Sequence, residues 1–466
     1  MKPSADSKPP LRAGLHGARV LRAAAERALG AARGDEAEAL ILARTTALSR
    51  FANSAIHQNL AVANAELRVR VAVGRRVASV WTNRLDDDGP AGAAEEANAL
   101  ARILPENPTW SGFPVGGPCP AADGFVEATA SASPETRARA VGLICGPAHA
   151  TGLRAAGFVA TTVNEVAVLN SHGSWAYHAG TVAEVQAVAQ GAEGSGYANR
   201  VHADVAALDV EGVAREAIRT AVAGEAPRDA PPDAPPGTYE VVLAPYAVAD
   251  IVELLGSQLT GLAVEEGRSF VGGRLGERVT GPPITLVEDA CDPAGLPRPF
   301  DFEGVPSEAL RLIEDGLARG VVYDSQTAAR QGARNTGHAL PTATATPLPM
   351  HLRLEPGART LEEMIAGVTR GLLVTRFWYT RWVHPLRTIV TGLTRDGTFW
   401  IERGEVAYPV KNLRFTQSYH EALAGVVALG RDLALQRLDL WDFDAGSIRV
   451  PALHLAAFTF TGATPP

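Results

Sequence analysis

Alternating apolar and polar positions mark several stretches in the first half of the chain as strands. Leu67–Val73 carries apolar residues at every second position, a period typical of a half-buried strand, and Gly74 begins a turn. Phe158–Leu169 and Ala176–Gln190 are rich in valine and threonine, which favour the pleated surface of a sheet. We expect these three segments to form strands.

Segments with helical signals lie between and around these strands. Ala18–Arg33 is rich in residues of high helix propensity. Ser133 before Pro134 is typical of a helix start, because serine caps the first turn and proline fits the first helical position. Asp209 precedes an apolar stripe of helical spacing that ends at Ala221. The first half is therefore predicted to be a mixed α/β domain.

The second half begins with one strand and one helix and then becomes mostly β. Tyr239–Ala244 is predicted as the strand, and Val248–Leu262 as a helix with an apolar stripe. Short runs between glycines and prolines follow: Leu372–Phe377, Arg387–Thr391, Thr398–Glu402 and Leu453–Phe460. This pattern predicts a largely antiparallel, barrel-like β domain with a few helices, so the whole chain is expected to be α+β.

A change in composition separates the two halves. Residues 225–237 read EAPRDAPPDAPPG, with five prolines and no sustained apolar pattern. Such a stretch stays extended and cannot bury a core, so it is predicted to be a linker. We expect an N-terminal domain at residues 1–224 and a C-terminal domain at residues 238–466.

Charge and hydropathy narrow the class of function. The 466 residues carry a net charge of −8 and no basic stripe, which argues against broad contact with nucleic acid or anionic lipid. Met1–Pro10 is polar and lacks the apolar core of a signal peptide, and no apolar run reaches membrane-spanning length. We therefore expect a cytoplasmic protein that binds neither nucleic acid nor membrane.

Common catalytic signatures are missing from the sequence. It has no GxSxG elbow, no P-loop and no GxGxxG after a strand. His420-Glu421 begins like a zinc-protease helix, but no second histidine follows four residues later. The other histidines are scattered singly, and several of them could converge in space: His57, His172, His178, His338 and His384.

A series of blocks in the second half resembles the TldD/PmbA family. The blocks are Pro299–Pro306 (PFDFEGVP), Ile313–Gly320, Tyr323–Arg330, Asn335–Ala339 (NTGHA), Leu354–Gly357, Thr360–Met364, Arg370–Thr375, Gly404–Lys411 and Ile448–Leu453. They keep the family's order and approximate spacing from Tyr239 to Gly462, and this colinearity is more specific than any single motif.

The resemblance implies one half of a two-subunit peptidase. Members of the family associate as heterodimers that degrade unfolded or short peptides, and some are linked to maturation of a peptide antibiotic and to modulation of DNA gyrase. In the TldD-type subunit, a HExxxH helix and a cysteine near the C-terminus hold the metal ion. The TldE/PmbA-type subunit lacks that set and completes the chamber. The resemblance therefore implies zinc in a TldD-type partner and no cofactor in this chain.

The metal-ligand positions of the resembling helix are degenerate in this chain. Val252 and Ser257 replace the two histidine ligands, while Glu253 remains. Valine has no lone pair, a serine hydroxyl is a poor zinc ligand, and no cysteine follows Cys291. Val252 also fits the apolar stripe of its helix. Glu253 is either a retained general base or a solvated or capping carboxylate.

Two further segments each have two interpretations. Asn335, Thr336, Gly337 and His338 form a loop that either contacts peptide substrate or is a glycine turn with a structural histidine. Arg376–Trp382 concentrates arginine and aromatic residues, which are enriched at interface hot spots but also at buried strand faces.

We therefore expect a TldE/PmbA-like, non-catalytic subunit that pairs with a TldD-type protease. It would help to bind extended peptide by strand pairing, which reads the backbone and tolerates many sequences. A homodimer is compatible with the same pattern. Two alternatives stay open: a stand-alone peptidase or amide hydrolase with an unrecognised site, and a non-proteolytic regulator or scaffold of the gyrase-modulator type.

Overall fold

The computed structural model of the protein describes residues 14–228, 236–343, 346–438 and 446–463. Its α-helices are α1 (Ala18–Ala31), α2 (Gly89–Ile103), α3 (Glu127–Ala130), α4 (Pro134–Ala150), α5 (Val210–Ala223), α6 (Pro245–Gly256), α7 (Gly261–Glu265), α8 (Ser325–Gln331), α9 (Leu361–Ala366) and α10 (Tyr419–Ala424). Short 3-10 helices lie at Val205–Ala207 and Pro385–Arg387.

The strands lie mostly in the second half, but the longest ones lie in the first. They are β1 (Glu36–Ala52), β2 (Ala55–Val73), β3 (Arg76–Thr82), β4 (Arg154–Asn170), β5 (Trp175–Gln190), β6 (Ser195–His202), β7 (Gly237–Leu243), β8 (Leu286–Glu288), β9 (Leu310–Glu314), β10 (Leu317–Ala318), β11 (His351–Leu354), β12 (Arg370–His384), β13 (Ile389–Glu402), β14 (Glu405–Pro409), β15 (Leu413–Ser418), β16 (Val426–Leu429), β17 (Ala434–Arg437), β18 (Ser447–Val450) and β19 (Leu453–Ala463).

The first sheet has six strands in the order β3-β2-β1-β4-β5-β6, and every neighbouring pair is antiparallel. Side chains of a strand point alternately to its two faces. On β1, Ala39 and Ile41 therefore pack on one face against α1 and α2, while Leu40 packs on the other face against the second half. Farther along the ribbon, Phe51 packs against α4 and α5.

The second half contains two sheets. One has the order β10-β9-β8-β11-β18-β17. In the other, the path β12-β7-β19-β15-β13 closes on itself because β12 also pairs with β13. All pairs in this ring are antiparallel except β7 with β12. The prediction of an α+β chain with a largely antiparallel, barrel-like second half is confirmed.

Two element boundaries in the second half differ from the prediction. The helix expected over Val248–Leu262 begins at Pro245 and ends at Gly256, and Thr260 then caps the separate helix α7. Proline fits the first helical position, so the helix starts earlier than its apolar stripe does. The strand expected from Arg387 begins at Ile389, because Pro385–Arg387 forms a 3-10 turn.

One hydrophobic core joins the two halves of the chain. It contains Leu40 and Val166 of the first sheet together with Val241, Val252 and Phe415 of the second half.

The linker predicted at residues 225–237 lies largely outside the described residues, since 229–235 are not among them, and the two-domain division stays a prediction. Among the helices of the described ranges, none combines the length and the apolar character needed to cross a membrane.

Candidate functional site

The helix that carries Val252, Glu253 and Ser257 is a core helix. Pro245 starts α6, and the side chain of Val252 is only 2% exposed within the core. The Ser257 hydroxyl donates a hydrogen bond to the backbone carbonyl of Leu254 at 2.7 Å. None of these three side chains lines any of the four best-formed cavities of the described structure.

This donor set does not fit a zinc ion. Zinc sites in proteins use three or four thiolate, imidazole or carboxylate ligands. On α6, the buried side chain of Val252 and the hydroxyl of Ser257, which is hydrogen-bonded to its own helix, occupy the positions where two imidazoles would be needed. Within the ranges that the structure describes, no group of three or more histidine, cysteine, aspartate or glutamate side chains is arranged to hold a metal ion.

Asp250, on the same helix, is a carboxylate that the sequence did not single out. It accepts hydrogen bonds from the hydroxyls of Thr380, at 2.7 Å, and Tyr419, at 2.8 Å. Burial outweighs these bonds and raises the pKa of Asp250 to about 6. A perturbed carboxylate is a common mark of an active site, but here it fastens α6 to β12 and α10. Asp250 therefore has a structural role.

The loop Asn335–His338 is held by internal contacts. The amide oxygen of Asn335 accepts the backbone N–H of Gly337 at 2.9 Å, and the Thr336 hydroxyl accepts the backbone N–H of Tyr323 at 2.7 Å. His338 is buried, with Nδ1 3.0 Å from the Thr336 hydroxyl. None of Asn335, Thr336, Gly337 and His338 lines one of these four cavities, so their part in substrate binding stays a prediction.

His338 belongs to a buried acid–imidazole cluster. Its Nε2 lies 3.5 Å from the carboxylate of Glu288, and Nδ1 of His351 lies 3.6 Å from it. Glu288 also accepts the backbone N–H groups of Met350 and His351. Burial opposes ionisation of Glu288, but the adjacent imidazoles of His338 and His351 hold its pKa at about 2. The cluster ties β8 to β11.

A cavity of about 540 Å³ lies on the face of the first sheet that looks toward the second half. Its floor consists of two adjacent rows of paired residues across β2, β1, β4 and β5. One row is Asn64, Arg44, Asn164 and Gly180, and the other is Glu66, Leu42, Val166 and His178. Leu296–Arg298 and Phe302 of the second half form the opposite wall. We call this cavity the cross-sheet groove.

The groove has one open and one closed end. At β2 it opens beside Val62, whose side chain is 55% exposed. At β5 it ends against His178 and Arg298, which are both buried. Burial lowers the pKa of His178 to about 4, with a further contribution from Arg298, and burial lowers the pKa of Arg298 to about 10. The inner end of the groove is therefore a desolvated environment with a cationic side chain. The volume of the whole groove is typical of small-molecule binding sites.

Sequence reasoning named His178 only as one of several histidines that might converge, and it did not name Arg298. Arg298 directly precedes the Pro299–Pro306 block, so the block itself marks the right segment. In that block, Asp301 fixes a turn by accepting the backbone N–H groups of Glu303 and Val305 at 2.9 Å. The turn brings Phe302 against Arg298, and the guanidinium carbon of Arg298 lies 4.0 Å from the centre of the Phe302 ring. Pattern alone cannot show which sheet face this segment covers.

Family models place the chain in a class of metallopeptidase-related proteins. A model of the PmbA/TldA metallopeptidase central domain matches residues 126–225, and a model of the C-terminal domain matches residues 236–462. The chain belongs to the PmbA/TldD family.

Curated relatives carry metalloprotease names. The chain is 25% identical over 219 residues to the metalloprotease PmbA of Escherichia coli O157:H7, covering 46% of this chain and 45% of that protein. It is 28% identical over 163 residues to a metalloprotease TldD homolog of Haemophilus influenzae, covering 34% and 33%. The matched part thus spans less than half the length of these relatives.

Solved structures share the fold over almost the whole chain. The crystal structure of TldE from Thermococcus kodakarensis superposes with a TM-score of 0.83 at 20% identity, covering 95% of this chain and 99% of that one. A candidate modulator of a DNA gyrase from Thermotoga maritima MSB8 superposes with a TM-score of 0.79 at 19% identity, covering 91% and 96%. At these identities the likeness concerns the fold.

Proposed function

We propose that this chain is the non-catalytic, TldE/PmbA-like subunit of a two-subunit metalloprotease that degrades or processes unfolded or short peptides. The observation that carries the proposal is the state of α6, where Val252 is core and Ser257 is bonded to its own helix. A TldD-type partner would supply the zinc ion, because zinc must keep an open position on three protein ligands to activate water.

An open strand edge supports binding of extended peptide. β3 pairs only with Leu67–Val73, so residues 55–66 of β2 have β1 on one side and no strand on the other among the described residues. Ile56 is 42% exposed on this edge. Unpaired N–H and C=O groups of such an edge can add a strand, and main-chain pairing is independent of side-chain sequence.

A second exposed surface supports binding of a protein partner. At the far end of β12, Trp378 is 42% and Tyr379 is 68% exposed, with the Arg395 and Arg381 guanidinium groups stacked on their rings. Tyr379 also has a φ of 58°, a left-handed conformation that a residue with a side chain rarely adopts. Exposed aromatic and arginine side chains are the types enriched in interface hot spots. We call these four residues the aromatic–arginine tip.

The test is a reconstitution with a TldD-type subunit that carries HExxxH. We expect the purified chain alone to cleave no unstructured peptide, and the equimolar mixture to cleave it in a chelator-sensitive way and more rapidly than the TldD-type subunit alone. Glu253→Gln in this chain should leave the activity of the mixture unchanged. Cleavage by this chain alone that Glu253→Gln abolishes would instead establish a stand-alone hydrolase. Absence of any complex would favour a non-proteolytic scaffold.

A further inference from the structure

The closed end of the cross-sheet groove contains a guanidinium group with unused hydrogen-bond donors. Arg298 is 7% exposed, and its Nε and Nη1 atoms have no hydrogen-bond partner among the described residues. Nη2 contacts only the thioether sulfur of Met350, at 3.3 Å, which is a weak acceptor. The imidazole of the neighbouring His178 faces the backbone carbonyl of Pro297, and its Nε2 forms no hydrogen bond of standard geometry with the described residues. Buried donors of this kind are costly unless an acceptor reaches them.

The nearest acidic residues are engaged elsewhere. Asp301 accepts the backbone N–H groups of Glu303, Val305 and Ala339. Glu288 accepts backbone N–H groups and faces two imidazoles. Neither carboxylate forms an ion pair with Arg298, although both lie near enough to act on its charge. The guanidinium is therefore held by packing on Phe302, and its charge is left for a group that enters the groove.

The dimensions of the groove set the size of that group. From Glu66 on β2 to His178 on β5 the row crosses three strand spacings, which amounts to about 14 Å at about 4.8 Å each. An extended peptide spans at most about 3.5 Å per residue, so about four residues fill this length. The groove has a carboxylate, Glu66, at its open end and the Arg298 guanidinium at its closed end. The Arg44 guanidinium of the adjacent row lies between them, with its Nε donating to the amide oxygen of Asn164 at 3.3 Å.

We propose that the cross-sheet groove binds the C-terminal end of a short peptide of about four residues, with its α-carboxylate against Arg298 and His178. An arginine fork matches the two oxygens of a carboxylate, and a positively charged amino end would be favoured beside Glu66. The inference rests on the proposed function in one respect, the peptide class of the ligand. Hydrolysis of a peptide bond creates a new carboxylate terminus, so a peptide-cleaving complex also generates such ligands.

The first test uses the unmodified chain and needs no protease partner. Binding of tetra-alanine with a free C-terminus is measured by calorimetry against tetra-alanine amide. We expect the free acid to bind at least about tenfold more tightly, as is usual for a charge-assisted hydrogen bond in a desolvated site. Equal binding of acid and amide, or no binding of either, would overturn the proposal. Because this readout is binding by the lone chain, it is independent of whether the reconstituted mixture cleaves peptide.

Two further ligands distinguish the sources of a carboxylate. An amidated tetrapeptide with one aspartate presents only a side-chain carboxylate, and acetate presents a carboxylate without a peptide. We expect both to bind at least about tenfold more weakly than the free acid, because neither places its charge at the end of a chain of the right length. An aspartate peptide that binds as tightly as the free acid would contradict recognition of the terminus.

Arg298→Met tests the residue itself, and Arg50→Met, at an exposed position of β1 in the same sheet, is the matched control. In Arg298→Met we expect the preference for acid over amide to disappear while the thermal midpoint stays equal or rises, because a buried charge without a partner is removed. Arg50→Met should keep the preference. A merely structural arginine would behave oppositely: its loss would lower the midpoint and leave the preference of the surviving folded protein intact. Arg298→Lys, which keeps the charge, should retain part of the preference even if the methionine variant fails to fold.

Discussion

Gly337 is the residue on which the Asn335–His338 loop depends. Its φ is 72°, and a Cβ atom built at this position would lie 2.2 Å from the carbonyl oxygen of Pro306. Gly332 also has a positive φ, 62°, but a Cβ atom there would meet nothing within 4 Å. The two glycines thus share a backbone conformation and differ in the space around them.

We predict that Gly337→Ala is much more destabilising than Gly332→Ala. The left-handed backbone alone costs a residue with a side chain about 1–2 kcal/mol, and crowding at Gly337 adds about 1–3 kcal/mol. Urea denaturation of both variants measures the difference in the free energy of unfolding. Equal losses in the free energy of unfolding would show that the loop shifts to make room for the added Cβ atom. The close approach of Gly337 to Pro306 would then not contribute to the loss of stability.

At the same scale, Asp250 makes the stability of the chain depend on pH. The folded pKa of about 6 lies above the ordinary value of 3.8, so below about pH 6 the folded chain holds a proton that the unfolded chain still releases. The contribution of Asp250 to stability therefore increases as the pH falls from about 6 to about 3.8, with a slope of up to about 1.4 kcal/mol per pH unit.

Asp250→Asn removes this titration, so the stability of wild type relative to the variant should rise over that pH range. Denaturation curves of both proteins at about pH 7, 6, 5 and 4 measure the trend. A relative stability that is flat or falls toward acid would contradict a buried, hydrogen-bonded carboxylate at this position.

Residue identities predicted some of these features and not others. The helix starts at Ser133 and Asp209 follow from local hydrogen bonds, and the structure shows both side chains capping their helices. The unpaired state of Arg298 depends on partners far away in sequence, because Met350, Phe302 and the floor of the first sheet surround it. Such long-range placement is not encoded in any local spacing.

At the scale of elements, sequence patterns located seven of the nineteen strands and four of the ten α-helices that the structure describes, but not their ends. The alternation in Leu67–Val73 marks the buried part of β2 that is paired on both sides. Residues 55–66 of the same strand are largely exposed and were not predicted. Their sequence lacks a clear alternation because neither face is fully buried. The open edge of β2, which supports the proposal of peptide binding, was therefore not predicted, because this segment lacks the alternation of apolar and polar residues by which strands are recognised.

The aromatic–arginine tip leads to a prediction at this scale. We expect Trp378→Ala to weaken binding of a TldD-type subunit by about 1–2 kcal/mol, or roughly tenfold, because exposed aromatics at an interface centre carry much of the binding energy. Surface plasmon resonance measures the affinity, and thermal unfolding of the lone variant should be nearly unchanged.

Ile103→Ala provides the control for the tip, since Ile103 is 79% exposed at the end of α2. This variant should bind the TldD-type subunit with the wild-type affinity. Loss of affinity in both variants, or in neither, would place the partner surface elsewhere.

For the whole molecule, a buried ionic network fixes the first sheet to the second half. Glu38 accepts hydrogen bonds from Arg68 and Arg70, and Arg70 also reaches Glu303 at 3.2 Å. Burial opposes ionisation of Glu38, but the charges of Arg70 and Arg68 hold its pKa below the usual range. The network lies beside the junction that also forms the cross-sheet groove.

We predict that Glu38→Gln destabilises the chain by about 3–5 kcal/mol, because two buried guanidinium groups lose their main counter-charge. Glu26→Gln, which breaks the exposed pair with Arg22, should change stability by less than about 0.5 kcal/mol. Chemical denaturation compares the two variants. A small loss in Glu38→Gln would mean that water reaches Arg68 and Arg70 and that the two halves are not locked through them.

For the whole molecule, we propose above all that this chain has no metal centre of its own. The most direct measurement is the zinc content of the purified chain after equilibration with excess zinc and removal of unbound ion, read by inductively coupled plasma mass spectrometry. We expect far less than one zinc ion per chain and no chelator-sensitive peptide cleavage. One tightly held zinc ion per chain, together with cleavage that a chelator abolishes, would contradict it.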